Sequence, residues 1–282
     1  MNSDPPCLSI DVLMIVKNEE VYIGSAIDSV KAFAKNVIIV DSGSEDRTVE
    51  IAQSKGAIVV FHKFLDFGDQ WNYAINALST GSDWQMKLDP DERISEASIR
   101  ELSSIISNAA SEVAGISFTR QLQFLGSALP VKQSLVRVWR KGRCKFSEVR
   151  VNEQPIIDGT VVDCKCVLTH LDSLSFETWL AKQNFYTSLE VEAYINDRYS
   201  VTPAFFGNAL ERRIFFKRIF FKIPFRYFLY KYFLIFRHLT AFGDRNFLCW
   251  VEARIMVFRI LELKIFEFKK TQGDSLSYKR TD

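Results

Sequence analysis

One long stretch of this 282-residue chain lacks acidic residues: from Arg212 to Gly243 there is no Asp or Glu, against eight Lys or Arg. The formal net charge of the whole chain is only +2, so the N-terminal part is correspondingly more acidic. A disulfide framework is also missing. The five cysteines, Cys7, Cys144, Cys164, Cys166 and Cys249, are odd in number and scattered. Cys164 and Cys166 have no second pair with which to form a structural zinc site, and reduced thiols in a cytosolic protein are expected. The N-terminus from Met1 to Cys7 has neither a basic n-region nor a clean apolar h-region, so it does not read as a signal peptide. No stretch reaches ~20 uninterrupted apolar residues, and no transmembrane helix is expected. Neither G-x-G-x-x-G nor a P-loop occurs, which leaves dinucleotide and ATPase readings without a motif. There is no internal repeat and no low-complexity linker.

A composition of 48% hydrophobic and 25% charged residues suits one large domain, or one domain with an appendage. Leu8 to Val16 is an almost continuous apolar run and reads as a buried strand. Ile23, Ile27, Val30 and Phe33 then recur at helical spacing. Val37 to Val40 is a second strand, ending at Asp41. Ser42 and Glu45 have capping-box spacing and are expected to open the next helix; Gly56 stops it. A third strand covers Ala57 to Phe61, a helix Gly68 to Leu78, and a fourth strand precedes Asp89. This alternation predicts an α/β fold with a parallel sheet flanked by helices, whose ligands lie beyond the carboxyl ends of the strands. Lys17-Asn18-Glu19, Asp41-Ser42-Gly43-Ser44 and Asp89-Pro90-Asp91 all fall there. A helix from Ser95 to Ala110, strands at Val113–Thr119, Ser134–Trp139 and Val161–Leu168, and a helix from Ser175 to Ile195 follow.

In an extended chain, Asp89 and Asp91 point the same way. They can then converge on one hard divalent cation, and such a cation can hold a diphosphate. The same residue types also suit a plain surface turn.

The ordered blocks Met14-Ile15-Val16-Lys17-Asn18-Glu19-Glu20, Val40-Asp41-Ser42-Gly43-Ser44-Glu45-Asp46-Arg47-Thr48, Phe67-Gly68-Asp69-Gln70-Trp71-Asn72 and Leu88-Asp89-Pro90-Asp91-Glu92-Arg93 resemble a family 2 glycosyltransferase of the GT-A fold. The likeness is to the branch containing bacterial lipopolysaccharide core β-1,4-glucosyltransferases. Weaker matches at Phe124-Leu125-Gly126, Arg137 to Gly142, Val151-Asn152-Glu153 and Leu168-Thr169-His170 extend it from about residue 8 to residue 195. Two departures stand out: Pro90 replaces a small residue, and Asn152 stands where the family has histidine.

The resemblance implies a Rossmann-like, mixed-sheet catalytic domain over 1–200. Its nucleotide-sugar half is about 8–110 and its acceptor half about 111–200. A helical, basic-aromatic extension over 201–282 follows. It implies that Asn18, Glu19, Asp41 and Gly43 hold the nucleotide, with Gln70 near the donor sugar. It also implies that Asp91, Asp89 and His170 hold Mg²⁺ or Mn²⁺ against the diphosphate. Inverting transfer then needs a base, with Glu153 the first candidate and Asp158 and Asp163 as competitors. Arg137 or Arg140 pairs with a phosphate or forms a surface salt bridge. Trp71 and Trp139 stack on a sugar or belong to the core. His170 is a ligand or a structural residue.

Arg212 to His238 interleaves Phe, Tyr, Leu and Ile with Arg and Lys, a pattern for an anionic membrane surface: long cations snorkel and rings sit at headgroup level. The alternative is a helical extension packed on the catalytic domain. No nucleic-acid-binding motif accompanies the charge, so no nucleic-acid partner is expected. The combined expectation is a metal-dependent, inverting hexosyltransferase, peripheral on the cytoplasmic face of the bacterial inner membrane. It would move a hexose from a nucleotide sugar such as UDP-glucose to a hydroxyl of a lipopolysaccharide core or other glycan or glycolipid. The rivals are transfer to polyprenyl phosphate and a non-catalytic, nucleotide-binding membrane scaffold.

Overall fold

The computed structural model describes residues 8–147, 153–171, 175–195, 204–207, 209–220, 222–241 and 243–278. The first part of the chain alternates as expected: β1 (Ile10–Val16), α1 (Ile23–Val30), β2 (Asn36–Asp41), α2 (Thr48–Ser54), β3 (Ile58–Phe61), α3 (Phe67–Asn76) and β4 (Trp84–Lys87). β5 (Glu92–Ile94), α4 (Glu96–Asn108), β6 (Val113–Phe124), β7 (Ser127–Arg140), β8 (Cys144–Phe146), β9 (Pro155–Ile157) and β10 (Thr160–His170) follow. The C-terminal helices are α5 (Phe176–Ile195), α6 (Ala209–Phe220), α7 (Arg226–Arg237) and α8 (Arg245–Tyr278).

The eight-stranded sheet runs β3-β2-β1-β4-β7-β6-β10-β5. β1 to β4 are mutually parallel, and β7 inserts antiparallel between β4 and β6. This mixed sheet with flanking helices is the arrangement that the resemblance implies. β1 is buried along nearly its whole length because both faces of a central parallel strand are covered. α1 buries Ile23, Ala26, Ile27 and Val30, one stripe at i, i+3, i+4 and i+7. α3 and α4 start where side chains cap them: Asp66 accepts from Asp69 N at 2.8 Å and Ser95 from Ser98 N at 3.2 Å. One charge sits inside β1. Asp11 is fully buried, and its carboxylate accepts from Asn36 Nδ2 at 2.7 Å, from Ser82 Oγ at 2.6 Å and from the Thr80 hydroxyl.

The capping box expected at Ser42 and Glu45 does not form. α2 begins only at Thr48, and its N-cap, Arg47, makes no side-chain cap. The Ser42 hydroxyl instead donates to Val16 O at 2.9 Å, and Glu45 N donates to Asn18 Oδ1 at 2.8 Å. Both residues stitch the loop after β2 to the loop after β1.

The expectation of reduced cysteines is also corrected for one pair: Cys164 and Cys166 form a disulfide within β10. The pairing register with β6 shifts between Asp163 and Val167, and the bulged backbone finds partners on α4. Lys165 N donates to Glu101 Oε1 at 2.7 Å and Val167 N to Ser98 Oγ at 2.9 Å. Cys144 and Cys249 are free, and Cys7 lies outside the described residues.

The described residues fall into two compact units, one from β1 to β10 and one from α5 to α8. The domain boundary expected at residue 200 lies outside the described residues. α5, expected in the first domain, groups with α8. Val191 clusters with Leu261 and Ile265, and Lys264 Nζ donates to Asn184 O and Ser188 Oγ at 2.7 Å and to Thr187 Oγ1 at 3.0 Å.

Candidate active site

The first wall of the site is a pair of interlaced loops beyond β1 and β2. Asn18 N donates to Ser44 Oγ at 2.9 Å, Glu19 N to Thr48 Oγ1 at 2.7 Å, and Glu20 N to Asp46 Oδ2 at 3.1 Å. Asn18 itself sits at φ +56°, a conformation that asparagine tolerates better than most residues. The buried Asp41 carboxylate accepts from Gly43 N at 2.9 Å and from Ser44 N at 3.1 Å, closing its own turn. Gly43 adopts φ +95°, which a side chain rarely allows. Asn18, Glu19, Asp41 and Gly43 are therefore brought together on one rim.

The second wall is the acidic motif, where the turn forms and the extended alternative does not. Asp89-Pro90-Asp91-Glu92 is a turn, not an extended segment: Glu92 N donates to Asp89 O at 2.8 Å, with Pro90 at the position that prefers fixed φ. Glu92 Oε2 accepts from Asp89 N at 3.2 Å and fastens the turn a second time. The two aspartates consequently face different partners. Asp89 Oδ2 accepts from Arg137 Nη2 at 3.1 Å, whereas Asp91 Oδ2 lies 3.4 Å from His170 Nε2. Leu171 N donates to Asp91 O at 2.6 Å, and β10 pairs His170 with Glu92, so the end of that strand is tied to the turn.

Arg137 is almost wholly buried and also pairs with Glu92, itself fully buried. It braces the turn from inside the sheet and is not placed as a surface ion pair. Burial alone would weaken its hold on the proton, but Glu92 and Asp89 more than reverse that. Burial likewise pushes the Asp89 carboxyl up, and Lys87 and Arg137 overcome it to hold the group below its ordinary value. Glu92 goes the other way: burial raises it, and Arg137 only partly opposes this. Arg140 is spent on backbone, donating to Val113 O at 2.8 Å with its guanidinium 4.5 Å from the Trp84 ring centroid.

The donor set fits a hard divalent cation. Asp91 and His170 present a carboxylate oxygen and a ring nitrogen side by side, while His170 Nδ1 is buried with no hydrogen-bond partner among the described residues. Mg²⁺ or Mn²⁺ keeps several waters and is commonly held by one or two protein groups plus substrate phosphates. Asp89 does not join this pair closely. Among the described residues, the potential ligand atoms that gather in threes within 4.8 Å belong to Glu101, Cys164 and Cys166, and those two cysteines are already bonded to each other.

The third element was not legible in the sequence. Lys87 Nζ, at the end of β4, donates to Glu153 Oε1 at 2.7 Å, and the two side chains are only 10% and 12% exposed. The ammonium lies 4.2 Å from the Trp71 ring centroid. The competing carboxylates are engaged elsewhere: Asp158 with Arg143 at 2.9 Å and Asp163 with the Ser117 hydroxyl. Trp71 and Trp139 both belong to the core, packed on Phe146. Gln70 is buried as well; its Nε2 donates to His62 O at 2.9 Å, and Oε1 has no partner among the described residues. Asn152 lies outside the described residues. The available signal for Lys87 and Glu92 was a charge beside or within an apolar strand, where an unpaired charge is costly.

A parallel half-sheet with an acidic turn and interlaced loops at its carboxyl rim defines a GT-A glycosyltransferase architecture. The chain belongs to glycosyl transferase family 2: residues 11–160, more than half of its length, match that family's profile. It is 26% identical over 201 residues to the lipopolysaccharide core biosynthesis glycosyltransferase LpsC of Rhizobium meliloti (strain 1021), covering 67% of this chain and 73% of that protein. An uncharacterized glycosyltransferase of Rickettsia bellii (strain RML369-C) is 39% identical over 99 residues, which is 35% of this chain and 33% of that one. This chain thus spans about a third of that relative's length. A Mycobacterium tuberculosis glucosyl-3-phosphoglycerate synthase, crystallised with Mn²⁺, UDP and glucosyl-3-phosphoglycerate, aligns at 22% identity with a TM-score of 0.34, over 42% of this chain and 46% of that one.

Proposed function

We propose that the protein is a divalent-cation-dependent, inverting glycosyltransferase that moves a hexose from a UDP-sugar to a hydroxyl of a lipopolysaccharide core or related glycolipid. The observation that carries this reading is that the Asp91–His170 pair and the Lys87–Glu153 pair flank one acidic turn, Lys87 and Asp91 both acting electrostatically on Asp89 between them. The similarity to LpsC supports the acceptor class.

Asn18, Glu19, Asp41 and Gly43 bind the nucleoside on the interlaced loops. Gln70 offers its unpartnered Oε1 to a donor-sugar hydroxyl. Asp91 and His170 hold Mg²⁺ or Mn²⁺, with Asp89 beside them; the cation, when bound, neutralises the charge that develops on the departing diphosphate. Glu153 Oε1 is held by Lys87, and Oε2 receives the proton of the acceptor hydroxyl. The acceptor oxygen bonds to the anomeric carbon as its bond to the diphosphate oxygen breaks, and the bonding electron pair leaves with UDP.

The C-terminal helices are read as the membrane-facing part. In α7, Phe228, Leu229, Tyr232, Phe233 and Phe236 are all exposed. Such a stripe, flanked by Lys and Arg, suits the interface of an anionic leaflet on the cytoplasmic face. Some of the charge is already paired: Arg226 binds Glu262 and Lys231 binds Glu252. The side chains of Arg213, Lys217 and Arg218 lie outside the described residues. No helix among the described residues is long and apolar enough to cross a membrane.

The test is UDP release from UDP-hexoses with and without Mn²⁺, in the presence of core oligosaccharide. Metal-dependent release coupled to acceptor glycosylation is expected. Absence of metal-dependent release across UDP-, GDP-, ADP- and CMP-sugars refutes the reading. Replacing Glu153 by Gln separates acceptor classes: lost turnover with intact donor binding supports a hydroxyl acceptor, and unchanged turnover points to an already ionised phosphate.

A further inference from the structure

We infer that Lys87, seated on Trp71, is the positioning residue for Glu153, and that α3 is the platform on which the base is set. The inference rests on Glu153 being the base.

The chain of contacts is continuous. Lys87 Nζ takes Glu153 Oε1 at 2.7 Å, and this is the only hydrogen bond either side chain makes among the described residues. One carboxylate oxygen is pinned and the other is left open, the arrangement a base needs when a third group orients it. The ammonium is itself located by an aromatic face, 4.2 Å from the Trp71 centroid and 5.5 Å from that of Phe146. Trp71 has no freedom to drift: it is 1% exposed and stacked on Phe146 at 5.5 Å. The next residue on α3 fixes the Phe146 backbone. Asn72 Nδ2 donates to Phe146 O at 3.0 Å, and Asn72 Oδ1 accepts from Phe146 N at 2.8 Å. Phe146 ends β8 and pairs with Pro155, the first residue of β9, two positions after Glu153. Ser147 N donates to Gln154 O at 2.9 Å, so the chain flanking Glu153 is moored to the strand that Asn72 clamps. Trp71 and Asn72 thus reach Glu153 by two routes, one through the Lys87 side chain and one through the backbone.

A buried lysine–glutamate pair also suits a purely structural role, and the two roles differ in what they predict. Lys87 also acts on Asp89, but if its main role runs through Glu153, most of the loss on its removal requires Glu153 to be a carboxylate. The experiment is a double-mutant cycle in the full-length protein with K87M, E153Q and the pair, reading kcat and KM for both substrates. We expect K87M to lower kcat about 10²-fold in the wild-type background, the scale of a misplaced catalytic group. In the E153Q background K87M should cost less than about threefold, because coupled sites are not additive. K87R keeps the charge and the ring contact but alters the donor geometry; kcat should fall in the order wild type, K87R, K87M.

Equal losses in both backgrounds, or losses that follow melting temperature and not this order, overturn the positioning role. So does an unchanged kcat in K87M. If E153Q keeps full turnover, the base assignment fails instead, and that outcome is distinct from an inactive E153Q beside an active K87M. Should K87M fail to fold, the K87R and K87R/E153Q pair reads the same coupling.

Discussion

From the interior of β7, Arg137 Nη2 donates to Asp89 Oδ2 at 3.1 Å, and the same nitrogen binds Glu92. One buried cation therefore fixes both ends of the acidic turn. Removing it leaves the fully buried Glu92 with only the more distant Arg120, at 3.6 Å, and the half-buried Asp89 without its ion pair. R137M should destabilise the first unit by about 3–5 kcal/mol, the cost of breaking a buried pair from one side. Urea unfolding checks this. A loss under about 1 kcal/mol, the range of exposed pairs, would show that the pair is not buried in solution.

Acid should act through the same turn. The Asp89 carboxyl is held below its ordinary 3.8, chiefly because Lys87 and Arg137 outweigh its burial. As pH falls, the unfolded chain takes the proton first. The stability contributed by Asp89 is thus complete above 3.8 and is lost as pH drops through the lower folded value. The difference in unfolding free energy between wild type and D89N should shrink as pH is taken from about 5 to about 2.5. A constant difference would show that Asp89 is not ionised in the fold.

Asp91 and His170 should control metal and donor together. D91N should abolish the thermal stabilisation that UDP gives in the presence of Mn²⁺ and lower turnover about 10³-fold, equivalent to about 4 kcal/mol of charge stabilisation. Stabilisation by UDP that is the same in D91N and wild type would remove Asp91 from the metal site.

Gly43 holds φ +95°, and a Cβ there would meet Phe61 Cε2 at 3.8 Å, so space is not the obstacle. The conformation is. G43A should cost about 1–2 kcal/mol of stability and raise the KM for donor more than it lowers kcat. Steady-state kinetics with varied donor read the split, and a wild-type KM would place the nucleotide elsewhere.

For the lipid surface, vesicle flotation is the direct measurement. Phe236 is 75% exposed on α7. F236S should weaken binding to anionic vesicles about tenfold, the lower end of what burying one ring contributes. Neutral vesicles should bind less than anionic ones. Binding that ignores both the substitution and the lipid charge would remove α7 from the interface.

Much of the parallel half was legible in the residues. Leu8 to Val16 reads as a buried strand, and Ile23, Ile27, Val30 and Phe33 recur at helical spacing; the structure has β1 at Ile10–Val16 and buries Ile23, Ile27 and Val30 on α1. Those periodicities are local, so they survive without neighbours. They also place Asn18, Asp41 and Asp89 at one rim, because parallel strands with helical crossovers end on the same side. What tertiary structure alone decided was the partner of each charge. Ser42 and Glu45 have the spacing of a cap, yet Val16 and Asn18, from another loop, claim them. Asp89 and Asp91 are two residues apart and take different partners: of the two backbones the residue types allowed, the turn closed by Pro90 and Glu92 forms, and the spacing did not choose between them. Lys87 meets Glu153 from 66 residues away. Short-range pattern fixes which backbone forms; pairing across such separations depends on how sheet and loops close around it, since a buried charge settles on whichever opposite charge the fold brings within reach.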